Sequence, residues 1–244
     1  MQFTANLKMA DLIHSNYLLL PILNRFDIQL GFGDKTIEQI CREQGINPDF
    51  FLVIVNSFHD KNYFPQEILL SFPLKLILDY IKKSHNYYLH VKVPQIELLI
   101  ENLIKNARNS GLQHIETIDR FFKEYKLELI DHIREEEDNV YPYVISLDEA
   151  YSSKKISPEN IREIRQNPIA KYEEGHSNIE EKLFDLKNII IKYIPPIKDY
   201  SITNALLIEL FRLERDLNDH ARIEDKVLVP KVQFIENEIL SLWQ

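Results

Sequence analysis

The segment His132-Ile-Arg-Glu-Glu136-Glu-Asp-Asn-Val-Tyr141-Pro142 has a second copy, His220-Ala-Arg-Ile-Glu224-Asp-Lys-Val-Leu-Val229-Pro230. Both read His-x-x-x-Glu, then an acidic residue, then an apolar pair in front of proline. Residues four apart on a helix share a face, with Cβ atoms about 6 Å apart. Each copy therefore points one imidazole and one carboxylate in the same direction. Two such helices facing each other assemble two His and two Glu, a nitrogen and hard-oxygen donor set that suits a pair of iron or manganese ions.

The chain is 244 residues long, has only 5 glycines, and carries long stretches free of Gly and Pro, so helix should dominate. The four longest predicted helices run from about residue 67 to 106, 112 to 141, 168 to 195 and 201 to 229. Pro94 should kink the first. Asn109-Ser110-Gly111, Pro142, Pro195-Pro196 and Pro230 should end the four in turn, and a short tail helix should follow Pro230. A further short helix is predicted near 157–165. Short connections make neighbours antiparallel, so the predicted fold class is all-α. It is an up-down-up-down four-helix bundle over 67–244, preceded by a small helical domain over 1–64. In that first part Gly31-Phe32-Gly33-Asp34 reads as a turn, Asp34 or Thr36 as a helix cap, and Gly45 as a helix end. Asn47-Pro48 reads as a cap with proline in the first turn.

Position along the helices extends the metal reading. His132 and Glu136 lie near the end of their helix, His176 near the start of the next, and His220 and Glu224 near the end of the last. In an antiparallel bundle these levels coincide, and His85 on the first helix falls at the same depth. The predicted metal ligands are His85, His132, Glu136, His176, His220 and Glu224. Each ion would receive two imidazoles while both carboxylates bridge. That leaves room for an oxo or hydroxo bridge and for an exchangeable ligand such as O2, NO or peroxide. Two iron ions are the predicted cofactor. Manganese or zinc could replace them in preparations, but a structural zinc would want a tetrahedral set with fewer oxygen donors.

A single His-x-x-x-Glu on a helix is commonly a surface ion pair; two copies with one ending, matched in depth by two more histidines, argue for metal. His90, about 140° around the helix from His85, is the alternative ligand there. His14 and His59 lack partners at ligand spacing, and His114 shares the face of His132 but lies about 27 Å away along the helix, so it reads as a core or cap histidine. Glu135, Glu137 and Asp225 are predicted to point outward. Tyr88 and Tyr172, one turn from His85 and His176, read either as core aromatics or as hydrogen-bond donors to the ligands.

The net charge of -9 argues against nucleic acid and against anionic membrane surfaces as partners. One cysteine, Cys41, excludes an internal disulfide and a thiolate metal cluster, and suits a cytoplasmic location, as does a beginning unlike a signal peptide. No apolar run is long enough to span a membrane.

With these residues in place, the chain resembles the hemerythrin-type HHE cation-binding domain over roughly residues 68–235. The resemblance rests on Ser84-His85-Asn-Tyr-Tyr-Leu89 before Pro94, His132-x-x-x-Glu136-Glu137 before Tyr141-Pro142, Glu174-Gly-His176, and His220-x-x-x-Glu224-Asp225 before Pro230. Residues 27–38 are similar to the turn of the small helical domain that precedes such bundles in the iron-centre repair family. That family carries a Cys-Cys pair where this chain has Gln29-Leu30, and often two adjacent histidines where this chain has His85-Asn86. Cys41 reads as a small buried hydrophobe rather than a nucleophile. The resemblance implies a non-haem di-iron protein of nitrosative and oxidative stress defence, which binds or reduces NO or O2 species or supports repair of iron–sulfur centres. The alternative is a module that binds O2 or NO and signals to a protein partner without turnover. A metal store or structural bundle is the third reading.

Overall fold

The computed structural model describes residues 2–107, 114–175, 179–194 and 200–243. Apart from an isolated bridge between Lys8 and Thr36, these residues form helices and turns. They divide into two compact units, Met1–Ser84 with Lys226–Leu228, and His85–Asp225 with Val229–Gln244.

In the first unit α1 (Met9–Ser15), a 3-10 turn (Tyr17–Leu19), α2 (Leu20–Arg25), α3 (Ile37–Glu43) and α4 (Pro48–His59) follow the predicted punctuation. Of the two candidate caps, Thr36 does the work. Its side chain accepts from the Gln39 N–H while the Gln39 side chain reaches back to the Thr36 N–H, and Asp34 instead pairs with Lys8. Gly45 takes φ +67 just past α3, a conformation that costs an L side chain energy, and Asn47 accepts from Asp49 and Phe50 ahead of Pro48. Phe26, Phe50, Phe51, Phe72 and Tyr80 pack mostly edge to face in the core of this unit.

The first long helix does not begin at 67 as predicted. After α5 (Gln66–Ser71), Phe72 is extended (ψ 150), as a residue before proline must tend to be, and α6 (Leu74–Tyr87) starts beyond Pro73. In the second unit α7 (Val93–Ala107), α8 (His114–Glu135), α12 (Ile179–Tyr193) and α13 (Ser201–Ile223) form the bundle. α7 packs on α8 and α13, and α12 packs on the same two, closing the ring. The buried positions recur at helical spacing. They include Ile96, Ile100 and Leu103 on α7, Ile118, Phe122, Tyr125 and Leu129 on α8, Leu183, Leu186 and Ile190 on α12, and Leu206, Leu210, Leu213 and Leu217 on α13. Each such aliphatic side chain contributes about 1.5–3 kcal/mol when fully buried.

Two predicted helix ends, at Pro142 and Pro230, are not ends. Wide π-type turns occupy Tyr88–Lys92, Glu136–Val140 and Glu224–Leu228, and helix follows directly on each. The N–H of Val93 donates to Tyr88 O, that of Tyr141 to Glu136 O, and that of Val229 to Glu224 O, each reaching back five residues. Pro94, Pro142 and Pro230 come next in each case. A proline has no N–H to donate, and its ring would strike a carbonyl of the preceding turn; one extra residue opens that turn and relieves the clash. The second and last bundle helices therefore extend as α9 (Tyr141–Ser153) and α14 (Val229–Leu242), which pack on each other.

Between α9 and α12, Ser157 caps α10 (Pro158–Gln166), the predicted short helix, and α11 (Ile169–Gly175) follows the predicted Asn167-Pro168 start. The predicted ends at Asn109-Ser110-Gly111 and Pro195-Pro196, and His176, lie outside the described residues. No described helix is long and apolar enough to cross a membrane.

Candidate metal centre

His85 sits in the last turn of α6, His220 near the end of α13, and Glu136 and Glu224 open two of the wide turns. All four are buried, with exposures of 1% for His85, 0% for Glu136, 7% for His220 and 1% for Glu224. One ligand atom from each lies within 4.8 Å of those of the other three. His85 Nε2 is 3.1 Å from Glu136 Oε2 and 3.1 Å from His220 Nε2, and His220 Nε2 is 3.4 Å from Glu224 Oε1. His132, less deeply buried, places its Nε2 3.0 Å from the other oxygen of Glu136. Five of the six predicted ligands are thus brought together, and His176 lies outside the described residues. His90 is exposed, so the structure favours His85 over that alternative.

Glu137 is exposed, as predicted, and its Oε1 still reaches His85 Nδ1 at 3.0 Å, a contact the sequence reading did not include. A carboxylate on Nδ1 fixes the ring orientation and leaves Nε2 facing the cluster, the usual arrangement around a metal-bound histidine. Glu135 and Asp225 are exposed, as predicted.

Two tyrosines complete the cluster. The Tyr141 hydroxyl donates to Glu224 Oε1 at 3.2 Å and lies 3.5 Å from His85 Nε2. Sequence reasoning missed it. On a regular helix Tyr141 is about 140° away from Glu136, whereas the wide turn returns it to the same face. The Tyr172 hydroxyl donates to Glu136 Oε1, one of the two roles predicted for it. Burial, reinforced by the charges of Glu136 and Glu224, holds both phenols well above their ordinary pKa, so both remain donors. Tyr88 takes another partner. Its hydroxyl donates to the backbone oxygen and carboxylate of Asp216, both at 3.3 Å, and its ring stands edge-on to His220.

Burial pulls the pKa of His85 down. Hydrogen bonds donated to Glu136 and Glu137 and the charges of Glu136 and Glu224 outweigh that pull, and raise it to about 9. Without metal the ring is therefore an imidazolium near neutral pH, and its Nε2 lies within hydrogen-bond reach of Glu136 Oε2 and His220 Nε2. Its positive charge balances only one of two buried carboxylates. Two inward imidazole nitrogens and two deeply buried carboxylates form a donor set that fits a metal cation, and binding of a cation would replace the His85 proton. The cluster residues would hold it.

No curated protein matches the chain. The family model described as the Hemerythrin HHE cation binding domain matches residues 78–232, more than half of the chain and all five clustered ligand residues. With a helical bundle around a buried His and Glu cluster that could hold a metal ion, the chain belongs to the hemerythrin HHE cation-binding domain family.

Proposed function

We propose that the protein is a non-haem di-iron protein that binds or turns over NO, O2 or peroxide in nitrosative and oxidative stress defence, or supports iron–sulfur centre repair. The observation that supports this best is the division of Glu136. Its Oε2 faces His85 and its Oε1 faces His132, so one carboxylate addresses two imidazoles on two sides. A carboxylate placed this way could serve two ions, one held with His85 and His220 and the other with His132. Glu224, whose Oε1 lies 3.4 Å from His220 Nε2, would be the second carboxylate ligand. Iron at this site would supply redox chemistry and open positions for a small ligand. The protein residues hold and exclude. Glu137 fixes the His85 ring, the Tyr141 and Tyr172 hydroxyls donate to the two carboxylates, and the bundle core below keeps bulk water out.

The alternative is a module that binds O2 or NO and signals to a protein partner. Cys41 favours it over thiol-dependent repair. That cysteine is fully buried, and burial pushes its thiol up to about 11, so it offers no thiolate near neutral pH. Neither reading needs nucleic acid or a membrane, and a cytoplasmic setting suits both.

Metal analysis and an absorption spectrum of protein expressed with ample iron test the proposal, beside a His132→Ala/Glu224→Ala variant. About two irons per chain, lost in the variant, is the expected result. Folded wild-type protein with no iron, or equal iron in the variant, overturns it. Catalytic loss of NO by the reduced protein separates turnover from reversible binding.

A further inference from the structure

Beside the metal centre lies a second feature that the ligands do not account for. A cavity of about 480 Å³ opens where α10 and α11 cover the wide turn at Glu136, and Glu135, Asn139, Glu163, Lys171 and Tyr172 are among its walls. Tyr172 is the wall residue that reaches the cluster. It lines the cavity, and its hydroxyl donates to the buried Glu136. Its backbone is held in place. The Ile169 N–H donates at 2.8 Å to Glu236 Oε1, the same oxygen that accepts the Tyr143 hydroxyl at 2.5 Å, so α11 is pinned at its first residue to α14. Tyr172 follows Ile169 by three residues, one turn along the same face. The backbone of this wall is thus anchored, and the Tyr172 ring stands between the cavity and Glu136. The space beside it would take on the order of ten waters, which is room for the ring to turn into.

Resting on the metal-centre reading above, we propose that this cavity is the vestibule through which small uncharged ligands reach the metal centre, and that Tyr172 is its gate. The hydrogen bond to Glu136 holds the gate shut, and the polar walls keep the vestibule wet. Two wall carboxylates, Glu135 and Glu163, oppose one ammonium, Lys171, whose Nζ is already bonded to Gln166 O. An anion therefore meets net repulsion on the way in, and a neutral diatomic does not.

The test is stopped-flow absorbance of NO binding to the reduced, iron-loaded full chain, with azide as the anionic probe. Tyr172→Phe removes the latch and should speed NO association by about tenfold or more, the scale of one hydrogen bond to a charged group. Tyr172→Ala should be at least as fast. Glu163→Trp fills the vestibule from α10, remote from the ligands, and should slow both probes. Glu163→Gln should speed azide while leaving NO unchanged. Unaltered NO association in the Tyr172 variants, or in Glu163→Trp, overturns the gate. If the Tyr172 variants lose iron, the two Glu163 variants decide the matter. Iron in the wild type with unchanged rates sinks the gate alone, whereas wild-type protein without iron sinks the metal-centre reading beneath it.

Discussion

Replacing Glu224 by Gln separates a metal ligand from a structural ion pair. The substitution keeps an oxygen to accept the Tyr141 hydroxyl and removes one negative charge. In the metal-free protein the buried cluster holds the His85 cation and the Glu136 and Glu224 anions, with ligand atoms within 4.8 Å. At that separation and an effective dielectric of 20, two unit charges interact by about 3.5 kcal/mol. Neutralising Glu224 loses one such attraction to His85 and relieves one such repulsion from Glu136. The two cancel, so metal-free stability should change by no more than about 1 kcal/mol, or roughly 2–4 °C in a chain of this size. The metal-bound state behaves differently. Wild-type protein with ferrous iron or manganese at a hundredfold excess over Kd gains about 2.7 kcal/mol, roughly 5–11 °C. Glu224→Gln should lose most of that gain. The assay is anaerobic thermal unfolding followed by circular dichroism, with and without metal. The reasoning fails if the variant drops by about 3–5 kcal/mol without metal, the cost of a broken buried ion pair, and keeps the metal-induced rise.

Glu137→Ala should leave the fold intact and weaken metal binding about 10–100-fold, read by competition with a chromophoric chelator, because the His85 ring loses its Nδ1 partner. In the metal-free protein the His85 pKa is raised to about 9 from an unfolded value near 6.5, so its contribution is fully present below about pH 6.5 and is lost as pH rises through about 9. Urea midpoints should fall over that interval, and a flat profile would contradict the imidazolium. Cys41, buried and raised to about 11, should react with a thiol reagent at pH 8 only as fast as its unit opens; prompt stoichiometric reaction of the native protein would refute its burial.

The periodic features were legible in the sequence. The i, i+4 pairs His132/Glu136 and His220/Glu224 and the apolar stripes of α7, α8, α12 and α13 need only a 3.6-residue repeat to be read. Local caps were legible too, at Thr36 and Asn47, since each involves residues within three positions of one another. His85 was placed by depth alone, through the antiparallel argument, and the structure seats it between Glu136 and His220. What stayed hidden depends on departures from that repeat. Tyr141 reaches the cluster because the turn that begins at Glu136 holds an extra residue, which no window assuming about 100° per residue can show. Likewise, the second role of Tyr172, as a wall of the cavity, depends on where α10 and α11 fold back over the wide turn, a tertiary fact.

The prolines show why the same letters carried both the right and the wrong message. Pro142 and Pro230 were read as helix ends because in a regular helix a proline costs an N–H donor and collides with the turn before it, about 3 kcal/mol in all. A wide turn beginning at the ligand carboxylate removes the collision and lets the helix continue as α9 and α14. Pro94 follows the same kind of turn a few residues after His85, where there is no His-x-x-x-Glu pair, so the turn belongs to the proline rather than to the carboxylate. At 136 and 224 the two coincide. Carboxylate first and proline six residues later means that the opened turn starts at the ligand itself, and its distortion is used to bring Tyr141 back over Glu224. In the first segment the ligand carboxylate and the proline thus act together, whereas in the second Val229 stands where Tyr141 does and offers no hydroxyl. Replacing Pro142 by Ala should allow the turn to close, carry Tyr141 off the cluster face and leave His132 and Glu136 one regular turn apart.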